Sequence, residues 1–177
     1  MWCGDSLAVR ATHYKVVGFR FDLPGHLPDA NILADRAALD RLTLARDGVD
    51  GKKILLYGEG WNFGEVADDA RFEQATQANM AGTGIATFND RLRDAVRGGG
   101  PFDDNPRIQG FASGLFTDPN GDAANGTADQ QKARLLHQQD QIKVGLTGNL
   151  AGFTFTDSAG NKVSGAEVDY NGSPAGY

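Results

Sequence analysis

Gly18-Phe19-Arg20-Phe21-Asp22 and, one strand–helix–strand unit later, Tyr57-Gly58-Glu59-Gly60-Trp61-Asn62 decide how this chain reads. In the first stretch Val16, Phe19 and Phe21 favour an extended backbone. Residues two apart share a face of a strand, so Arg20 and Asp22 point one way and Phe19 and Phe21 the other. A guanidinium beside Asp22 favours the ionised carboxylate. In the second stretch Lys53-Ile54-Leu55-Leu56-Tyr57 is a short apolar run bounded by glycines, and Glu59 falls where the run stops.

Between the two runs the residues specify a helix. Asp29 or Asn31 can cap it, Ala34, Ala38, Leu42 and Ala45 recur at helical spacing beside Leu39, and Asp47-Gly48-Val49-Asp50-Gly51 is a turn cluster that ends it. Strand, helix and strand in this length form a βαβ unit with parallel and usually adjacent strands. Asp22 and Glu59 then sit at one end of a sheet. Neighbouring strands lie about 4.8 Å apart, and enzymes that cut glycosidic bonds with retention hold two carboxyl groups about 5–5.5 Å apart. Trp61-Asn62 adds an aromatic face on which a sugar ring can stack. An isolated Arg-x-Asp is ordinarily a structural ion pair, and an isolated Glu between glycines a turn residue; their pairing on consecutive strands is what points to chemistry.

Those residues also carry a resemblance. Gly18-Phe19-Arg20-Phe21-Asp22-Leu23 with Gly25-His26 resembles the fourth-strand motif of family 13 glycoside hydrolases, the α-amylase superfamily. Leu56-Tyr57-Gly58-Glu59-Gly60-Trp61-Asn62-Phe63-Gly64-Glu65-Val66 resembles the fifth-strand motif of their pullulanase and limit-dextrinase type. Further blocks, Gln74–Gln77, Met80–Ile85, Phe88–Gly98 and Val168–Tyr177, resemble the same type in the same order, so the likeness runs over nearly the whole chain. The resemblance implies hydrolysis of α-1,6 branch linkages in pullulan, amylopectin or limit dextrins by a retaining double displacement. Asp22 is then the nucleophile, Glu59 the acid and base, and Arg20 the residue that orients and ionises Asp22. His26, Trp61 and Asn62 line the sugar subsites. A desolvated Glu59 is expected to hold its proton more firmly than Asp22 does. No cofactor and no metal is implied.

The implied fold is α/β, a partial TIM-like (β/α)₈ barrel covering about the fourth to sixth strands and their following helices. Residues 1–177 are then a fragment of a single catalytic barrel domain with no separate boundary. A complete barrel takes about 250 residues, whereas the chain has 177. The family also uses an Asp preceded by His, and an Asn-His pair, and neither dipeptide occurs among the residues around His13, His26 and His137. Relatives commonly carry an acidic residue, a Met and a His where this chain has Val17, Pro24 and Leu27. The expectation is an internal piece of a larger enzyme, inactive by itself.

Other function classes fare less well. The net charge of −6 and the absence of a basic cluster argue against nucleic acid. No apolar run approaches the roughly 20 residues of a membrane span. Met1–Ser6 lack the apolar core of a signal peptide, which leaves compartment and oligomeric state open. A lone cysteine, Cys3, cannot form an internal disulfide and reads as a small inert hydrophobe. Gly58-x-Gly60-x-x-x-Gly64 after a strand suggests a dinucleotide turn, but Glu59 and Trp61 would crowd and repel a pyrophosphate. Gly98-Gly99-Gly100-Pro101 lacks the Lys of a phosphate loop, and Asp118–Asp122 lacks the spacing of a calcium loop. The remaining alternative is a non-catalytic or vestigial α-glucan-binding module.

Downstream, helices are expected over Asp69–Met80 (closed by Gly82), over Asp90–Arg97 (capped by Asn89 and closed by Gly98) and over Ala128–Val144. Leu135, Leu136 and Ile142 are the expected apolar contacts of the last. Phe153–Thr156 and Lys162-Val163 read as a hairpin.

Overall fold

The structure is a computed structural model of the whole chain; it describes residues 2–62, 64–100, 102–148, 153–164, 169–170 and 173–174. Phe63, Pro101 and most of the Val168–Tyr177 block therefore lie outside the described residues. The chain forms two compact units, 1–88 and 89–177.

The first unit is built on a parallel sheet of three strands in sequence order, β1 (Gly18–Phe21), β2 (Leu55–Gly58) and β3 (Ala86–Thr87). Gly18 pairs with Leu55 and Phe21 with Gly58, and Tyr57 and Gly58 pair onward with Ala86 and Thr87. Helix α1 (Trp2–Tyr14) and helix α2 (Asp29–Asp40) pack on one face of this sheet. Leu7, Ala11, Phe19, Ile32, Leu39, Ile54 and Leu56 form the buried core between them. Phe19 and Leu56, partners across the strands, both point inward, as alternation requires.

Two expectations change in this unit. The buried face of α2 is Ile32, Asp35 and Leu39, whereas Ala34 and Ala45 are exposed. The helix also stops at Asp40, because Thr43 opens a separate short helix, α3 (Leu44–Asp47), closed by Gly48 in the left-handed region. Neither Asp29 nor Asn31 is the capping residue, a position held by Pro28 without a side-chain bond. Arg36 fixes where the chain re-enters the sheet: its guanidinium donates to the carbonyls of Ile54 and Gly51 at the start of β2. The second change is that no helix covers Asp69–Met80. Gly64–Asp69 is a 3₁₀ stretch kinked at Asp68, and Gln74 is extended, bridging antiparallel to Pro28.

Helix α1 is an unanticipated element. Gly4, Leu7 and Ala11 are buried on one side of it, and a Cβ at Gly4 would lie 3.2 Å from Asp35 Oδ1 and 3.3 Å from Ala38 Cβ, so only a glycine gives α1 and α2 this approach without adjustment. Cys3, one residue earlier, is exposed instead of packed.

The second unit contains α4 (Asp90–Arg97), α5 (Ala128–Leu146), a hairpin of β4 (Thr154–Thr156) and β5 (Lys162–Ser164), and an antiparallel pair of β6 (Asp169–Tyr170) and β7 (Ser173–Pro174). Asn89 caps α4 by accepting from Leu92 N–H, and Gly98 ends it at a positive φ of 94°, as the residues specify. Thr127 and Gln130 form a reciprocal capping box that starts α5. The buried residues of α5 are Gln131, Gln138, Asp140 and Val144, while Leu136 is exposed. Among the described residues no helix is long and apolar enough to cross a membrane.

Asp140 ties α5 to the hairpin turn. It accepts from Ser158 N–H at 2.8 Å and from Lys143 Nζ at 3.1 Å. Burial pushes its carboxyl upward, but the Ser158 and Lys143 donors outweigh burial and hold it below the usual carboxylate range. A carboxylate depressed in the folded state contributes stability above its unfolded value, near 3.9, and loses it as pH falls through the folded value. Asp140→Asn is therefore expected to lower stability by ~1.5–3 kcal/mol at pH 7. Urea melts at pH 7 and pH 2.5 check this: the gap between variant and parent should narrow at the lower pH.

Candidate active site

Strand β1 ends at Phe21 and β2 at Gly58, opposite each other in the register, so Asp22 and Glu59 leave adjacent parallel strands side by side at the C-terminal edge of the sheet. The sheet face away from α1 and α2 carries Arg20 and Tyr57 as a register pair, one step of the alternation behind the two carboxylates.

Arg20 joins the acids. Its Nη2 reaches Asp22 Oδ1 at 3.1 Å and also donates to Glu59 Oε1. Two oxygens held by one nitrogen at hydrogen-bond reach lie within about 6 Å of each other. Glu59 is buried, and its second oxygen, Oε2, accepts from Leu23 N–H at 2.8 Å. Asp22 is open, its side chain 73% exposed against 9% for Glu59. The environments of the two carboxylates thus differ, one enclosed and doubly bonded, the other presented to solvent. Arg20 was expected to orient and ionise Asp22; in the structure it holds Asp22 and also bridges to Glu59.

The backbone around the pair is unusually close. Leu23 sits in the left-handed region with φ 51° and ψ 46°, ahead of a 3₁₀ turn over Pro24–His26. Pro24 presets the first φ of that turn. Gly25 is buried, and a Cβ there would collide with the carbonyl of Trp61, so the loop after β1 and the loop after β2 touch main chain to main chain.

The three residues expected at sugar subsites fall differently. His26 is half-buried against Gly64, where a Cβ would meet its ring at 2.6 Å. Trp61 is half-buried next to the pair through its contact with Gly25. Asn62 is exposed, and both ends of its amide are engaged by Asp68: Nδ2 donates to Asp68 Oδ1 at 2.7 Å and Oδ1 accepts from Asp68 N–H at 2.8 Å. Its amide thus fastens a loop in this structure. Among the described residues no cluster of His, Cys, Asp and Glu could hold a metal ion.

Two aromatic residues given no role from the sequence lie beside Arg20. The Arg20 guanidinium carbon lies 5.6 Å from the centre of the Phe88 ring, within cation–π range. Phe88 in turn meets Tyr57 edge-on, with ring centres 5.8 Å apart at 71°. Phe88 follows β3, and its N–H donates to Gly58 carbonyl at 2.9 Å, which continues the β2–β3 ladder. Tyr57 was legible, since it stands two residues before Glu59 and must share its face. Phe88 was not, because β3 has only two residues.

No family model matches the chain. Its relatives are nevertheless clear. Over 174 residues, 98% of its own length, it is 44% identical to Pullulanase 1, chloroplastic, of Arabidopsis thaliana, and covers 18% of that relative. Apo pullulanase from Klebsiella pneumoniae matches with a TM-score of 0.82 and 43% identity, over 99% of this chain and 18% of that one. A Klebsiella pneumoniae pullulanase complexed with maltotriose matches with a TM-score of 0.79 and 41% identity, over 99% of this chain and 15% of that one. The chain belongs to the pullulanases as a segment of them, spanning less than a fifth of the length of these relatives.

Proposed function

We propose that this chain supplies the nucleophile and the acid/base of a retaining α-1,6-glucosidase that opens branch linkages in pullulan, amylopectin or limit dextrins. One observation carries the reading: Asp22 and Glu59 end adjacent parallel strands and meet on a single nitrogen of Arg20. Facing carboxylate oxygens within about 6 Å of each other favour direct attack by one carboxylate, whereas inverting enzymes hold the two carboxyl groups about 6.5–9.5 Å apart to admit water. The exposed Asp22 attacks the anomeric carbon and forms the glycosyl-enzyme. The enclosed Glu59 protonates the leaving oxygen, then takes a proton from the incoming water. For that first step Glu59 must exchange its bond to Arg20 for one to the glycosidic oxygen, and substrate entry beside Arg20 is what drives the exchange.

The substrate class rests on the maltotriose bound by the related Klebsiella pneumoniae pullulanase. The half-buried Trp61 and the exposed edges of Tyr57 and Phe88 offer apolar faces to sugar rings beside the pair. In the complete enzyme, we read β1, β2 and β3 as about the fourth, fifth and sixth strands of one (β/α)₈ barrel domain that includes all of residues 1–177. The open face bearing Arg20 and Tyr57 is then turned toward the barrel axis.

The test is covalent trapping. The segment is placed in the barrel of the Klebsiella pneumoniae pullulanase and incubated with an activated 2-fluoro α-glucoside, which slows release of the glycosyl-enzyme. Peptide mapping should find the sugar on Asp22, and the 177-residue chain alone should take up little or none. Label on another residue removes Asp22 from the nucleophile role. Binding of maltotriose by the chain with no label in the chimera would favour the non-catalytic α-glucan-binding module.

A further inference from the structure

We infer that Glu73–Gln77 is a positioning strap that sets the two carboxylates against each other, with Gln74 as its central residue. This short segment bonds to the loops that follow all three strands. Asp29 N–H donates to Glu73 carbonyl at 2.9 Å, and Ala75 N–H to Leu27 carbonyl at 2.9 Å, which fastens it to the loop after Asp22. Gln77 N–H donates to the carbonyl of Gly60, the neighbour of Glu59, at 2.7 Å. Gln77 Nε2 donates to the carbonyl of Phe88 at 2.7 Å.

Gln74 anchors the strap from inside. It is 0% exposed, and its amide is satisfied at both ends: Nε2 donates to Gly25 carbonyl at 2.7 Å, and Oε1 accepts from Asp69 N–H at 3.0 Å. Its own N–H donates to Asp69 Oδ1 at 2.7 Å. Asn79 closes the outer side, donating to Gln74 carbonyl at 2.9 Å and Asp69 Oδ1 at 3.2 Å. Gly25 is the residue whose backbone abuts Trp61, so a displaced strap separates the loop after Asp22 from the loop after Glu59. A buried amide bonded at both its nitrogen and its oxygen is held in one orientation, and that orientation transmits to Gly25. The side chain of Gln74 bonds Gly25 and Asp69 and neither carboxylate of the pair, so it positions and does not react.

The catalytic meaning of this positioning rests on the function proposed above, but its test uses neither substrate nor turnover. Gln74→Met keeps length and volume and removes both side-chain bonds. In the 177-residue chain, NMR follows exchange of the Leu23 amide, which bonds Glu59, and of the Leu55 amide, which bonds Val17 at the far end of the sheet. The strap predicts that Leu23 exchange accelerates about tenfold or more beyond any change at Leu55. It also predicts that the pH-dependent shift of the Leu23 amide, which reads Glu59 through their bond, loses at least about half its amplitude. Equal acceleration at both amides with that titration intact, or no change at either, overturns the proposal. Should Gln74→Met fail to fold, Asn79→Ala, which cuts only the outer tie, is held to the same outcomes with a smaller expected effect of about threefold.

Discussion

Asp22→Asn, in the segment carried by a complete pullulanase barrel, is expected to lower kcat on the order of 10⁴–10⁶-fold on every substrate, natural or activated. The amide is nearly isosteric, so the contact with Arg20 weakens without a change of shape, while the attacking charge is gone. Glu59→Gln separates from it on the choice of substrate. With a poor leaving group such as a branch-point sugar, loss of the proton donor costs roughly 10²–10⁴-fold. With an activated aryl or fluoride leaving group, which departs without a proton, glycosylation should survive and the glycosyl-enzyme should accumulate, because no base remains to activate water. Burst kinetics with the activated substrate check this. If Asp22→Asn and Glu59→Gln respond alike to leaving-group ability, the division of roles between an open and an enclosed carboxylate is wrong.

That division was half visible in the residues. Two short runs bounded by glycine, with charges at their ends, were enough to put Asp22 and Glu59 at one edge, because strand alternation and the parallel βαβ connection leave little freedom. Helix α4 was equally plain, since Asn89 and Gly98 mark both ends with residues whose side chain or φ the termini require. What local rules could not see was set by distant partners. Gln74, Ala75, Ala78 and Met80 are residues that favour helices, yet Leu27, Gly25 and Gly60 claim the hydrogen bonds of this segment and draw it out into the strap. The face of α2 was misread for a related reason: Asp35 is buried against Gly4 of α1, and a polar residue facing inward breaks the apolar pattern by which a face is recognised. The link from Arg20 to Glu59 was likewise hidden, since a residue two before Asp22 suggests a local partner first.

Removal of that guanidinium gives the second large effect. Arg20→Met should destabilise the first unit by ~2–4 kcal/mol at pH 7, at the low end of what breaking a buried ion pair costs because Arg20 itself is 45% exposed. The cost is not chiefly the lost attraction. Among the described residues Glu59 keeps Leu23 N–H as its donor, and a buried carboxylate missing its counter-charge carries a desolvation penalty that this one bond does not offset. Asp22 contributes little to the loss, since its open side chain keeps water as an alternative partner. The double variant Arg20→Met with Glu59→Gln therefore should regain most of the stability, because the neutral amide still accepts from Leu23 and no charge is left stranded. Lowering the pH into the carboxylate range should narrow the gap between the single variant and the parent for the same reason, since a protonated Glu59 is cheaper to bury. Urea melts of the four members of this cycle decide the matter. A double variant as unstable as Arg20→Met alone would assign the loss to the packing of the arginine stem and its contact with Phe88 instead of to the stranded charge.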